Sequence, residues 1–314
     1  MITEIIFFAL TSVILMISST FLVTSLNKIA HYLRISKFTA AFIIMAFATS
    51  IPELFIGISS AIAKTPEISL GNLIGSSIVH TTILMGMFVL MNRGIKVKDT
   101  KIGKDIFFVI GSVLLIIILF LIGKSLSRID GIILLLFFTL SYYTIFKKSR
   151  QHKEKLKKQE YKRYKIIGYS FTFIISLFVL FFTSNYLVKF TGIIATQLGF
   201  PELLIGILLL SISTNLPEIA FGYRAYKMGY KELIVGDLTG GTLVNIGLVL
   251  GIVAIITPIT TPTIPFLITS CFLFLSSLIF LIFLRTDREL KTIEGIFLIL
   301  LYLLFLIIEF FMRL

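Results

Sequence analysis

The chain has 314 residues, 57% of them hydrophobic and only 14% charged, with a mean hydropathy of +1.03. A soluble domain carries about a quarter charged residues, so an ordinary water-soluble fold is excluded. The net charge of +13 does not point to nucleic acid, because the basic residues fall between apolar runs and not on one face; with three histidines and one cysteine, Cys271, there is no internal disulfide and no thiol-based metal centre.

The apolar runs are continuous, about 20 residues long and not alternating, which predicts membrane-crossing helices and argues against a barrel. In chain order they predict spans at about 3–26, 38–63, 69–91, 105–123 and 129–146, then 166–188, 201–223, 232–256, 264–284 and 292–312. The expected fold class is an all-α membrane protein with ten transmembrane helices. The first run is read as a structural helix and not as a secretory signal, because Met1-Ile2-Thr3-Glu4 carries no positive charge. Between the two sets of five lies 147–165, with ten Lys or Arg. This basic linker fits a short amphipathic helix or a disordered segment equally well. The chain thus divides into a first half, 1–146, the linker 147–165 and a second half, 166–314.

Charge between the runs sets the orientation. With the N-terminus outside, the inside segments hold 24 Lys and Arg and the outside ones five. The positive-inside rule then predicts a multi-pass protein of the cell membrane with both termini outside and the linker in the cytoplasm. The same bias favours contact with anionic lipid of the inner leaflet.

The sequence repeats itself at an offset of 165 residues. Thr49, Pro52 and Glu53 fall on Thr214, Pro217 and Glu218; Gly71, Leu73, Gly75, Val79 and Gly86 fall on Gly236, Leu238, Gly240, Val244 and Gly251. At an offset of 164, Ile129-Asp130-Gly131 falls on Ile293-Glu294-Gly295. Each half holds an odd number of helices, so the second enters the membrane from the opposite side and the repeat is inverted. That architecture belongs to secondary transporters, with the site at the repeat interface near the midplane.

Most of the 16 acidic residues lie in loops or at helix ends, but Glu53 and Glu218 sit near the middle of their spans. A carboxylate there costs several kcal/mol unless paired, and is a functional residue by default. No Lys or Arg lies deep in any span, so a bound cation is the natural counter-charge and an anionic substrate is disfavoured. The competing reading is a pair of protonated glutamic acids bonded to neighbouring helices. Pro52 and Pro217 remove the helical donors for the carbonyls of Ala48 and Ser213, and broken helix at membrane depth is tolerated where it lines a cavity. Freed carbonyls, the hydroxyls of Thr49, Ser50 and Thr214, the amide of Asn215 and two carboxylates make an all-oxygen set suited to Ca²⁺, with Na⁺ accepting a subset. Back-bonding of Thr49 and Thr214 to their own helices is the alternative for those two. In the helices that follow, Gly71-Asn72-Leu73-Ile74-Gly75-Ser76 and Gly236-Asp237-Leu238-Thr239-Gly240-Gly241 carry small residues at four-residue spacing, which predicts close helix packing. Asn72, Ser76, Asp237 and Asn245 can then point inward. His80, the repeat mate of Asn245, is read either as a buried neutral histidine or as a proton-sensitive ligand. Ala46 and Ser211, also repeat mates, complete the candidate metal-binding set.

Ala48-Thr49-Ser50-Ile51-Pro52-Glu53 and Ser213-Thr214-Asn215-Leu216-Pro217-Glu218, each followed by its glycine-rich stretch, resemble the paired alpha-repeat motifs of the sodium/calcium exchanger family, within the calcium/cation antiporter superfamily. The resemblance covers essentially the whole chain and is to the ten-helix prokaryotic type. It implies electrogenic exchange of several Na⁺ for one Ca²⁺. Glu53 and Glu218 would share the calcium, Thr49 and Thr214 would add backbone oxygens, and Ser50, Ser76 and their counterparts would line flanking sodium sites. The sequence departs from the family pattern at Ala48 and Ser213 (Gly in the motif), Asn215 (Ser), Gly241 (a Ser ligand), His80 (Asn) and Asp237 (Asn); Asn245 stands at a position that is acidic in some relatives. The expected function is a secondary active Na⁺/Ca²⁺ antiporter working by alternating access around Glu53 and Glu218. The alternatives are an H⁺-coupled or other-cation antiporter of the same fold, or a relative that binds ions without transporting them. No enzyme is expected, since no His-Glu-x-x-His motif is present, and no organic cofactor; the expected partners are Ca²⁺, Na⁺ or H⁺ and membrane lipid.

Overall fold

In hydrocarbon a backbone N–H or C=O has no water to bond, so a spanning chain must close its hydrogen bonds within helices. A computed structural model describes residues 2–32, 46–96, 102–149, 163–227, 229, 231–286 and 289–311. Nine helices among these are long and apolar enough to cross a membrane. The first half comprises α1 (Ile2–Tyr32), α2 (Ala46–Thr49), α3 (Ile51–Ile62), α4 (Pro66–Val79), α5 (Met85–Met91), α6 (Ile102–Gly123) and α7 (Arg128–Ser149). The second comprises α8 (Arg163–Leu198), α9 (Glu202–Ile205), α10 (Ser211–Thr214), α11 (Leu216–Lys227), α12 (Lys231–Leu243), α13 (Leu250–Ile256), α14 (Thr263–Thr286) and α15 (Thr292–Phe311). Within the expected span 38–63, residues 38–45 lie outside the described residues, and the rest is the broken pair α2 and α3. Linker residues 150–162 also lie outside them; residues 147–149 close α7 and 163–165 open α8.

Two helices outrun the spans expected from hydropathy. α8 is 36 residues long, about 54 Å at 1.5 Å per residue, well beyond a hydrocarbon core of about 30 Å. Nothing between Lys189 and Leu198 stops it; the stop comes at Gly199, whose φ of +68° suits glycine, just before Pro201. α1 continues to Tyr32 for the same want of a breaker. These two helices pack along each other, and repeat mates Leu15 and Leu180, and Leu22 and Leu187, are fully buried in one apolar cluster.

The inversion is visible in two strand-like pairings. Ile95 pairs with Leu290, and Leu126 with Ile259. A shift of 164 residues converts one pairing into the other. The first lies before α6 and the second after it, so repeat-equivalent contacts sit at opposite ends of one spanning helix.

The helices pack through glycine. α5 lies against α15 and α13 against α7, and these are repeat-equivalent pairs. A Cβ on Gly86 would stand 2.5 Å from Gly295 O, and one on Gly131 would stand 2.6 Å from Gly251 O. Cβ atoms on Gly71 and Gly206 would run into the backbones of Leu203 and Ile68. Without a hydrophobic drive between helices in lipid, such close backbone approach supplies the dispersion that holds them. The periphery is apolar, with Ile122, Leu140 and Phe171 exposed, and Ser, Thr, Asn, Asp and Glu side chains are buried within an otherwise apolar core.

Gly86→Ala therefore forces two backbones apart and is expected to cost about 1–3 kcal/mol, read as a fall in the thermal unfolding midpoint of the purified protein. Gly168→Ala, with nothing within 4 Å of the new Cβ, should leave the midpoint unchanged or raise it; equal behaviour of the two variants would refute the close packing.

Candidate functional site

Glu53 and Glu218 occupy the first turns of α3 and α11. Each of those helices begins at a break in a longer span. The breaks fall at Ser50 (φ −81°, ψ 3°) and Asn215 (φ −81°, ψ −1°), two residues before each proline, and are superimposable in conformation. Pro52 and Pro217 cannot donate to Ala48 O and Ser213 O, so each break presents carbonyl oxygen on one side and a helix N-terminus on the other. The N-terminal dipole steadies a carboxylate by roughly 0.3–1 kcal/mol. That is too little to offset the several kcal/mol of desolvating it.

The two side chains are 0% and 1% exposed, and none of their four carboxyl oxygens has a hydrogen-bond partner. The glutamates lie within electrostatic reach of each other and of Asp237. Among the described residues no three His, Cys, Asp or Glu side chains converge as a metal cluster. A buried polar atom left unpaired costs about 1–3 kcal/mol, more when charged, so four such oxygens on two repeat-equivalent side chains call for a functional explanation.

The neighbouring polar residues tie the two breaks to the glycine-rich helices crosswise. Thr49 Oγ1 lies 3.3 Å from Asp237 Oδ1, and its repeat mate Thr214 Oγ1 lies 3.2 Å from Asn72 Oδ1. Both hydroxyls also approach their own helices, at Ala46 O (3.3 Å) and Ser211 O (3.5 Å); the contact across helices is no longer than the back-bond in either case. Ser76 Oγ is 3.1 Å from Thr214 Oγ1 and 3.1 Å from Asn215 Nδ2. Asn215 Nδ2 also donates to Ser211 O, whose own hydroxyl donates to Ile207 O. Ala46 O accepts from Ser50 N at 3.3 Å. Ser50 Oγ and both amide atoms of Asn245 are buried without a partner. Ser213, by contrast, accepts from Ser12 Oγ of α1 at 3.2 Å and donates to Leu209 O at 3.0 Å.

His80 opens one π-helical stretch, His80–Leu84, and Asn245 is the second residue of another, Val244–Val249; they continue α4 into α5 and α12 into α13. A third, Gly206–Leu210, joins α9 to α10. π-Turns of this kind concentrate at functional sites. Nothing in the sequence marks them. Asn72, expected from sequence to point inward though not named as a metal ligand, meets Thr214 as its repeat mate Asp237 meets Thr49. Thr242, which holds His80 Nδ1 at 3.3 Å, stands outside the metal-binding set expected from sequence and carries no signal of its own.

The sodium/calcium exchanger protein family profile matches residues 3–147 and 169–311. The chain is 26% identical to sodium/calcium exchanger MaX1 of Methanosarcina acetivorans, with 95% of this chain and 96% of that protein covered. It is 29% identical to the putative antiporter CaxA of Alkalimonas amylolytica over 80% of each. Its fold matches a solved structure of the sodium-calcium exchanger NCX_Mj with a TM-score of 0.69 at 23% identity, covering 96% of this chain and 97% of that one. Two family matches spanning nearly all of both halves, full-length relatives and a shared helical architecture converge: the chain belongs to the sodium/calcium exchanger protein family and is a membrane cation antiporter, not an enzyme.

Proposed function

We propose that the protein exchanges Na⁺ for Ca²⁺ at one site formed by Glu53 and Glu218, opened alternately to each side of the cell membrane. The observation that carries this reading is the pair of buried, unpartnered carboxylates held at symmetric helix breaks. Thr49, Thr214, Ser50, Asn215 and Ser76, with the carbonyls around Ala46 and Ser211, would complete an oxygen shell. Asn245, Asp237 and His80 would bound it. Ca²⁺ accepts six to eight oxygens in flexible geometry, which suits two carboxylates supplemented by hydroxyl, amide and backbone oxygen. The names of the relatives support the choice of Na⁺ and Ca²⁺ as cargo.

Exchange without leak follows from charge. With the site empty, two carboxylates face each other in a medium of low dielectric and repel. One divalent ion neutralises both at once, whereas Na⁺ does so only in company. The loaded states are therefore the ones that can pass through occlusion.

In this reading the halves 1–146 and 166–314 are joined by the basic linker 147–165 on the cytoplasmic side, and both termini lie outside. Single cysteines placed on a Cys271→Ser background test this. Ser149→Cys should react with an impermeant maleimide only from the cytoplasm, and Ser125→Cys only from outside; the reverse pattern would invert the assignment.

Reconstituted into Na⁺-loaded vesicles, the protein should take up radiolabelled Ca²⁺ when Na⁺ is diluted outside. Glu53→Gln and Glu218→Gln should each reduce uptake at least about a hundredfold, the loss expected when one charged partner of a buried ionic site is removed at a cost of about 3–5 kcal/mol. Wild-type uptake in either variant refutes the site. Uptake driven by a pH gradient and not by Na⁺ would move the coupling to protons.

A further inference from the structure

The two halves of the site around Glu53 and Glu218 differ at several repeat-equivalent positions, and at one of them a polar side chain is lost altogether. On one side Ser76 Oγ joins Thr214 Oγ1 and Asn215 Nδ2, each at 3.1 Å. The repeat offset sets residue 241 against Thr49 and Ser50 on the other side. Residue 241 is glycine, and Ser50 Oγ, facing it, is buried with no partner.

The space opened by that glycine is filled. A Cβ built on Gly241 would stand 3.1 Å from His80 Cε1, 3.5 Å from its Nδ1 and 3.6 Å from Ser50 Oγ. The imidazole thus lies where the missing side chain would project. Its ring is fixed by hydrogen bonding. Thr242 Oγ1 donates its single proton to Leu238 O at 2.9 Å, which leaves a lone pair to accept from His80 Nδ1 at 3.3 Å. Nε2 is buried without a partner. An imidazole nitrogen is a ligand for transition metals, while hard cations take oxygen. At the equivalent point of the other half stands Asn245, an oxygen-bearing amide of smaller volume.

Taking Glu53 and Glu218 as the centre of exchange, we infer that the flanking position beside Ser50 is closed to Na⁺ in this chain: His80, admitted by Gly241, fills it and sets the number of Na⁺ exchanged for one Ca²⁺. A fully symmetric site would offer a central position between the glutamates and one on each flank. This chain keeps the centre and the flank made by Ser76, Thr214 and Asn215.

The test is Ca²⁺ binding to the purified protein by calorimetry over a series of Na⁺ concentrations, with choline holding ionic strength constant. The Na⁺ dependence of the apparent Ca²⁺ affinity gives a Hill coefficient, which cannot exceed the number of competing sites, so the wild type should give no more than about two. The double variant His80→Asn/Gly241→Ser restores the residue types of the other half and should raise the coefficient by about one. A wild-type coefficient clearly above about two overturns the inference. So does a double variant that binds Ca²⁺ with an unchanged coefficient. Should the double variant bind no Ca²⁺, the wild-type value decides alone. A wild type that binds no Ca²⁺ at all would instead refute the exchange reading, and the closed flank with it.

Discussion

Two carboxylates out of reach of water, with no hydrogen-bond donor on any of their oxygens, set the terms for everything around them. Desolvating an ionised carboxylate costs far more than a helix terminus returns, so the fold has to keep the site accessible to a cation or leave the charge off. It places Glu53 and Glu218 at helix N-termini, beside two breaks whose Thr, Ser and Asn side chains are hydrogen-bonded to one another and to the glycine-rich helices. Those groups then need a polar interior, and the interior is accordingly rich in buried Ser, Thr, Asn and Asp. These polar groups are set within a large apolar core, and the periphery is apolar as well. With lipid around it, close packing between small residues takes over from hydrophobic burial.

Inverted repetition solves the problem of building such a site twice over. A single half provides one break, one glutamate and one glycine-rich helix. The crosswise pairs Thr49 with Asp237 and Thr214 with Asn72 show that each half completes the other's break and not its own. The same crossing appears in the scaffold, where Gly86 meets Gly295 and Gly131 meets Gly251. Neither half could bury its polar surface alone. The backbone symmetry is tight, as the matched φ and ψ at Ser50 and Asn215 demonstrate, and that tightness lets one departing side chain pair, Gly241 and His80, stand out as a local change of chemistry.

Much of this is legible in the sequence because its signals are categorical. A proline beside a glutamate in the middle of an apolar run, occurring twice at one offset, fixes both the breaks and the pairing of halves. Glycines recurring every four residues indicate which helices approach closely. Helix ends are harder. The charge of Lys189 suggests the end of a span, yet α8 runs on to Leu198 because charge alone does not stop a helix, whereas Gly199 and Pro201 do. Through-space substitution is harder still. That an imidazole from position 80 takes up room vacated at position 241 depends on the distance between two helices, which no local pattern encodes.

Register explains why the deviation falls where it does. Asn72, Ser76 and His80 follow one another at four-residue spacing, as do Asp237, Gly241 and Asn245, so each trio lies along one helical face. Those faces meet the two breaks. Immediately afterwards both helices widen into π-turns, which insert one residue into the helical register. The glycine that must meet a neighbouring backbone, Gly86 or Gly251, therefore need not share the face that meets the ions. The π-turn separates two demands, polar contact at the centre and close packing at the periphery, that a continuous α-helix would have to reconcile on fixed angular positions. A side chain at the last residue of the polar stripe can then change size or chemistry, as between Asn245 and His80, without disturbing the glycine contacts beyond it.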